Sequence, residues 1–291
     1  MSQKNSFELS AFLRALFLIL SAAVYTAIIG LPALVSCFLD RSWRWFSFFQ
    51  SLWAEWLLRT NGIRVHVDGM ENLNKDQSYI LVSNHSSILD IPALISAAPF
   101  PVRFLAKKSL LWFPIFGWVL HFSGHILIDR ESAQSALRIL KKAPSLLKKG
   151  IPIIVFPEGT RSPDGEVKEF KRGAFLLAQL SKFPVVPVST IGTYEVLPRH
   201  GWCFWPGTIH IRMGKPIPTR GLSHRELKDL MGKVRETIIE NLKKGTAERD
   251  LSEEERGKRP HEGMEDAGNL RRASAEIPPF PPLKKGGGGG I

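Results

Sequence analysis

Cysteine is scarce: Cys37 and Cys203 are the only two in 291 residues, and they lie far apart in the chain. Neither a disulfide framework nor a paired-cysteine metal site can be built from them, and a reducing compartment suits such a chain. The histidines offer a metal little more. His121 and His125 have the i, i+4 spacing of a helical zinc site, but the residues between them are Phe122-Ser123-Gly124, so the glutamate of an HExxH motif is missing. No metal and no cofactor is expected. The GxSxG elbow that presents a serine nucleophile is absent as well. A hydroxyl activated by a histidine of this chain would then belong to a substrate.

Acidic residues are also in deficit, 27 against 39 Lys and Arg, for a formal charge of +12. Residues 243–291 carry ten Lys/Arg and nine Asp/Glu, so all but one unit of the excess lies before residue 243. The basic part is the folded part. Such an excess suits phospholipid headgroups, phosphorylated small substrates or nucleic acid, and composition does not choose among them.

What is present begins with an apolar front. Ala15 to Leu39 forms 25 residues without a charge, bracketed by Arg14 and Asp40-Arg41. That exceeds the roughly 20 residues a bilayer crossing requires, and exceeds the roughly 7–15 of a cleaved signal's apolar region. A retained anchor is expected. Gly30 and Pro32 inside it leave two arrangements open, one kinked span or two shorter helices that enter and leave the same leaflet. The following segment, with Trp43, Trp45, Trp53 and Trp56 beside Phe46, Phe48 and Phe49, reads as a helix at the bilayer interface, or as core between anchor and domain. Residues 1–59 are the membrane-associated part. Arg41, Arg44 and Arg59 after the apolar run, against Lys4 and Arg14 before it, place the following domain on the cytoplasmic side.

From residue 60 to 246 short apolar runs alternate with helical stretches. Strands are predicted at Ile63–Val67, Tyr79–Val82, Val102–Ala106, His125–Ile128, Pro152–Phe156, Val185–Ser189 and Thr208–Met213. Helices are predicted at Ile91–Ala98, Ser132–Lys149 with an interruption at Pro144, Gly173–Ser181 and Ser223–Lys244. This is an α/β pattern with a mixed, largely parallel central sheet flanked by helices. Residues 247–291 turn charged and then Pro/Gly-rich, the composition of a disordered tail.

Chemistry concentrates at strand ends. Asn84-His85-Ser86-Ser87-Ile88-Leu89-Asp90 follows the Tyr79–Val82 strand. On a continuous helix His85 and Asp90 would be separated by about 500° and about 7.5 Å of rise. Pro92 and the turn-forming serines instead predict a loop, in which the carboxylate can turn back onto the imidazole. A histidine so held presents its other nitrogen as a proton acceptor. Phe156-Pro157-Glu158-Gly159-Thr160-Arg161-Ser162 leaves the carboxyl end of a buried strand, where open α/β sheets place ligands. Arg161 suits bidentate phosphate binding; a structural Glu–Arg pair is the alternative. Lys107-Lys108 and Asp129-Arg130 end two further strands. The apolar strip Leu110–Trp118 suits an acyl channel, a membrane contact or ordinary core.

Taken in order, these segments resemble the glycerolipid acyltransferase superfamily, and within it the bacterial 1-acyl-sn-glycerol-3-phosphate acyltransferases, over roughly Gly62 to Pro218. The resemblance implies the glycerol-3-phosphate acyltransferase-like fold, with His85 as catalytic base and Asp90 as its partner. It assigns Arg130, at the end of Ser123–Arg130, together with Glu158, Gly159, Thr160, Arg161 and Lys107, to acceptor binding. Pro187 of VVPVS would help shape the acyl or donor pocket. Two positions depart from the family pattern: His125, where an apolar or small residue is common, and Ser109, where an acidic one is frequent.

The implied reaction moves an acyl group from acyl-CoA or acyl carrier protein to the sn-2 hydroxyl of lysophosphatidic acid, forming phosphatidic acid at a bacterial inner membrane. The implied partners are the phospholipid bilayer and these two substrates, without nucleic acid. Other lysophospholipids or an aminolipid as acceptor remain open. So do a lipid hydrolase and, in a different class, a membrane-anchored protein that binds anionic lipid.

Overall fold

Of the two arrangements open to the apolar front, the computed structural model has the continuous one: a single helix, α1, runs from Ser2 to Leu39 with Pro32 inside it. The structure describes residues 2–40, 43–74, 76–129, 142–199 and 204–255. Within α1, Leu9–Leu39 is long and apolar enough to cross a bilayer, and Leu16, Leu20, Ile28, Leu31 and Val35 all point outward. Its other face carries Ala15, Leu18, Ile29 and Ala33, all buried.

The aromatic segment forms α2 (Arg44–Thr60), which divides its residues between two environments. Phe46, Ala54, Leu57 and Leu58 are buried, whereas Trp45, Phe48 and Trp56 are exposed. The core reading therefore holds for one face of this helix, and its other face presents aromatic rings outward. Polar side chains fix its seat on α1: Trp53 Nε1 donates to Thr26 Oγ1 at 3.2 Å, and Asn61 Nδ2, just past the helix, donates to Ser21 Oγ at 2.9 Å.

Seven strands follow: β1 (Arg64–Asp68), β2 (Ile80–Ser83), β3 (Arg103–Lys107), β4 (Ile126–Ile128), β5 (Ile153–Val155), β6 (Val185–Ile191) and β7 (Thr208–Met213). They form one sheet in the order β1-β7-β6-β2-β5-β3-β4. Every neighbouring pair is parallel except β6 with β7. The mixed, largely parallel sheet expected from the sequence is present. Residues of β2, β5 and β6 are buried throughout, as strands covered on both faces must be. At the edge, β1 alternates exposed and half-buried positions.

Among the described residues the further helices are α3 (Asp90–Ala97), α4 (Phe116–Phe122), α5 (helical over residues 142–148), α6 (Gly173–Ser181), α7 (Thr193–Val196) and α8 (His224–Glu255). Because successive strand residues face opposite ways, Leu81 joins a core with Leu58, Leu94 and Phe104, while Ile80 and Val82 join another with Phe175, Leu177 and Val234. Each large apolar side chain so buried contributes about 1.5–3 kcal/mol. The first core also takes in Ala15 and Leu18, so α1 packs as part of the domain.

Several boundaries differ from expectation. Pro144 lies among residues 142–148, which are helical on both sides of it. The rest of the Ser132–Lys149 prediction, residues 132–141, lies outside the described residues. Leu110–Leu120 divides into a short 3₁₀ turn at Lys108–Trp112 and α4. Helix α8 runs to Glu255, past the predicted end at Lys244, so the first residues of the expected tail are helical; residues 256–291 lie outside the described residues.

Candidate active site

Parallel neighbours β2, β5 and β3 send their carboxyl ends to the same edge, and β6 runs parallel to β2 beside them. The loops carrying the sequence motifs meet there. The first begins at Asn84, whose amide extends the sheet after β2 ends. Its Nδ2 donates to the Thr190 carbonyl and its Oδ1 accepts the Thr190 N–H, each at 2.9 Å. The chain then leaves the sheet and turns into α3.

Asp90 is the first residue of α3, where the helix N-terminus favours a carboxylate. Its Oδ2 accepts the backbone N–H groups of Ser86 and Ser87 at 2.9 Å, and lies 2.8 Å from His85 Nδ1. The loop predicted from Pro92 and the serines therefore does bring carboxylate and imidazole together. Asp90 is 0% exposed. Oδ2 accepts both of these backbone N–H groups and faces His85 Nδ1 as an acceptor too, so Nδ1 donates and Nε2 is left as an acceptor. The imidazole stacks on the Phe156 ring, centroids 4.0 Å apart.

The second loop grips the first. Glu158 Oε1 accepts the His85 N–H at 2.8 Å, Glu158 Oε2 accepts the Lys168 N–H at 3.2 Å, and Ser162 N–H donates to the His85 carbonyl at 2.7 Å. Both oxygens of Glu158 are thus engaged by main chain, and no ion pair joins it to Arg161 among the described residues. Burial pushes the Glu158 carboxyl up to about 7, against the pull of its two N–H donors. Gly159 adopts φ +76, and a Cβ there would stand 3.0 Å from Lys171 Nζ. A left-handed backbone under a neighbouring side chain explains glycine at this place. Thr160 is half-buried beside it.

Arg161 is half-buried in the same loop. Its guanidinium loses proton affinity chiefly through burial and then through the neighbouring charge of Arg199, with Asp90 acting the other way. Lys107, exposed at the end of β3, lines the same cavity as His85. Arg130 lies outside the described residues. Pro187 is buried in mid-β6, in register with Val82 and packed near Gly214, and is not among the residues lining that cavity.

The cavity, of about 180 Å³, is walled mostly by apolar groups. Ile29 and Gly30 come from α1, Phe46 and Trp53 from α2, and Phe104 from β3. Of the strip after β3, Leu110 and Phe116 face the cavity, while Trp112, Phe113 and Trp118 are exposed. The strip is thus divided between cavity lining and exposed surface. His125 also lines the cavity, beyond the end of α4, with Nδ1 accepting the Phe104 N–H at 3.0 Å. Burial lowers its proton affinity well below the usual range. With Nδ1 committed and His121 on the helix, the pair does not present a helical zinc face.

Sequence reasoning missed residues 193–199, which bind both loops. Ser86 Oγ and Thr193 Oγ1 are 2.9 Å apart, and Ser87 Oγ donates to the Leu197 carbonyl at 2.6 Å. Tyr194 OH donates to the Pro163 carbonyl at 3.1 Å, and Arg199 Nη1 donates to the Arg161 carbonyl at 2.7 Å. The available signal was the position: this segment, too, directly follows a buried strand.

The acyltransferase family matches residues 64–191, which contain both motif loops and the Pro187 strand. The chain is 40% identical over 186 residues to the 1-acyl-sn-glycerol-3-phosphate acyltransferase of Saccharomyces cerevisiae, covering 62% of this chain and 61% of that enzyme. It is 34% identical over 197 residues to the human 1-acyl-sn-glycerol-3-phosphate acyltransferase alpha, covering 67% of this chain and 68% of the relative. The crystal structure of PlsC, the 1-acyl-sn-glycerophosphate acyltransferase of Thermotoga maritima, superposes with a TM-score of 0.71 at 31% identity, over 82% of this chain and 97% of that one.

Proposed function

The chain belongs to the acyltransferase family that includes the 1-acyl-sn-glycerol-3-phosphate acyltransferases, and from that premise we propose that it acylates the sn-2 hydroxyl of lysophosphatidic acid from acyl-CoA or acyl carrier protein. One observation carries the reading. A histidine whose Nδ1 is held 2.8 Å from a buried aspartate lines an apolar cavity.

His85 Nε2 takes the proton of the acceptor hydroxyl as its oxygen attacks the thioester carbonyl. The C–O bond forms, the C–S bond breaks, and the departing sulfur receives the proton from His85. The products are phosphatidic acid and a free thiol. No acyl-enzyme is needed, because the substrate brings its own nucleophile. Asp90 stabilises the imidazolium that forms between the two proton transfers.

The acyl chain occupies the apolar cavity, and Arg161, Arg130 and Lys107 hold the acceptor phosphate. Gly159 and Thr160 shape the loop that presents Arg161. Glu158 contributes by holding the backbone of His85, since both of its oxygens are already engaged. Pro187 acts from within the sheet. Helices α1 and α2 hold the domain, residues 60–246, at a bacterial inner membrane with the site on the cytoplasmic face.

The deciding assay supplies lysophosphatidic acid with acyl-CoA or acyl carrier protein and follows phosphatidic acid and released thiol. Formation of both by the wild-type chain is expected. Release of free fatty acid without consumption of the lyso-lipid would make the protein a hydrolase instead. Binding of anionic vesicles without thiol release would make it a lipid-binding protein.

A further inference from the structure

We infer that Arg199 is a second guanidinium of the acceptor site, forming with Arg161 a clamp for a phosphate monoester. This deepens the acyltransferase reading and rests on it.

Arg199 belongs to the 193–199 segment, which lies outside the four motif strings. It is nevertheless tied to the catalytic loop through Thr193 and Leu197, and to the Glu158–Ser162 loop through Tyr194 and Arg199 itself. The Arg199 side chain reaches back to the Arg161 backbone, with Nη1 on the Arg161 carbonyl at 2.7 Å. Ser162, the next residue, donates its N–H to the carbonyl of His85. The Arg161–Arg199 pair therefore sits one residue from a main-chain contact with the catalytic base.

Two half-buried cations in neighbouring loops repel one another, and an anion between them relieves that repulsion. Among the described residues neither guanidinium has a carboxylate within 4 Å. The negative charge that Arg161 does feel is that of Asp90, whose Oδ2 is already occupied by His85 and two backbone N–H groups. An anionic ligand is suited to supply that charge. A phosphate monoester carries about two negative charges and three terminal oxygens, enough to engage both planar forks. A zwitterionic headgroup offers a diester with two free oxygens and a single charge, half of the required compensation. The clamp thus selects an acceptor whose phosphate is terminal.

The test compares wild type with R199A and R199K, each as the full chain in lipid-detergent micelles, on lysophosphatidic acid and on 1-monoacylglycerol, which lacks the phosphate. For R199A the KM for lysophosphatidic acid rises at least about tenfold, the factor that 1.4 kcal/mol represents, while kcat and the donor KM stay within about threefold. R199K, which keeps charge and loses the fork, falls between. With monoacylglycerol the variants match wild type. Calorimetric binding of glycerol 3-phosphate, weaker in R199A than in wild type, provides a readout independent of turnover, and circular dichroism establishes that the variants are folded. An unchanged KM and unchanged glycerol 3-phosphate binding overturn the clamp. An equal fall of kcat with both acceptors also overturns it, since that is the signature of a residue that only positions the Arg161 loop. The two readings fail separately: a wild-type chain that forms no phosphatidic acid sinks the proposed function, while an active wild type with an indifferent R199A sinks only the clamp.

Discussion

The two sides of His85 are built from different materials. On one side lies a cavity of about 180 Å³ walled by side chains of α1, α2 and β3, with few polar groups among them. On the other lie three loops tied together by hydrogen bonds, most of them to main chain, with Arg161 and Arg199 at their meeting point. An apolar wall is non-directional and accepts any chain that fits its volume; a network of oriented donors fixes position and charge. The contrast suits a reaction in which a flexible hydrocarbon and a compact anion meet at one nitrogen.

The most drastic way to break this division is to remove what the sides share. His85→Ala is expected to lower kcat by more than about 100-fold, the lower end of what general-base removal costs, with both substrates still bound. Near-normal turnover by a folded variant would sink the mechanism. Next in size, Arg161→Ala acts on the polar side alone. The KM for lysophosphatidic acid should rise about tenfold, the scale of a lost charged contact, while acyl-chain preference stays as in wild type. A changed chain preference in that variant would blur the two sides.

Ala106→Leu acts on the apolar side, because Ala106 lines the cavity. Preference should move toward shorter acyl donors by a few-fold to about tenfold in relative kcat/KM, as added methyl groups in a pocket typically do. The acceptor KM should not change. The smallest effect is thermodynamic. Glu158 is raised from 4.5 to about 7 in the folded chain, so between these values the folded state binds more protons than the unfolded one. Its contribution to stability is full below about pH 4.5 and is lost as pH rises through about 7. Melting temperature should fall by a few degrees over that interval, and Glu158→Gln should flatten the profile; identical profiles for the two proteins would contradict the assignment.

The fold was legible wherever burial writes itself into short apolar runs. Strand β7 and helix α6 have their predicted bounds, Thr208–Met213 and Gly173–Ser181, and other strand boundaries moved by a residue or two. Helix α1 was ambiguous because the proline rule describes a lost donor and a steric clash, not the packing that holds a helix together through them. Pro32 is exposed on the outer face of α1, while Ile29 and Ala33 on the opposite face are buried and hold the helix against the domain.

Within the site, legibility followed chain contiguity. His85 with Asp90, and Glu158 with Arg161, could be found because each string exits a strand. Arg199 lies 38 residues beyond Arg161, in a stretch without a strong local pattern, and only the return of β6 beside β2 brings it near. The oxygens of Glu158 could not be assigned from sequence either, because a carboxylate that holds a neighbouring loop and one that holds a ligand are spelled alike.

The seat of α1 reaches beyond tethering. Gly30 lets Ile115 approach so closely that an added Cβ would stand 2.9 Å from its Cγ2, and Thr26, Ile29, Gly30 and Ala33 all line the cavity. The mooring line is also a side of the vessel. Cutting residues 1–39 away to make the protein soluble would leave an open trough where the hydrocarbon should lie, exposing Phe104 and its neighbours to water. On the proposed function, such a trimmed chain would forfeit chain-length discrimination along with its hold on the membrane, because one stretch of helix would serve both.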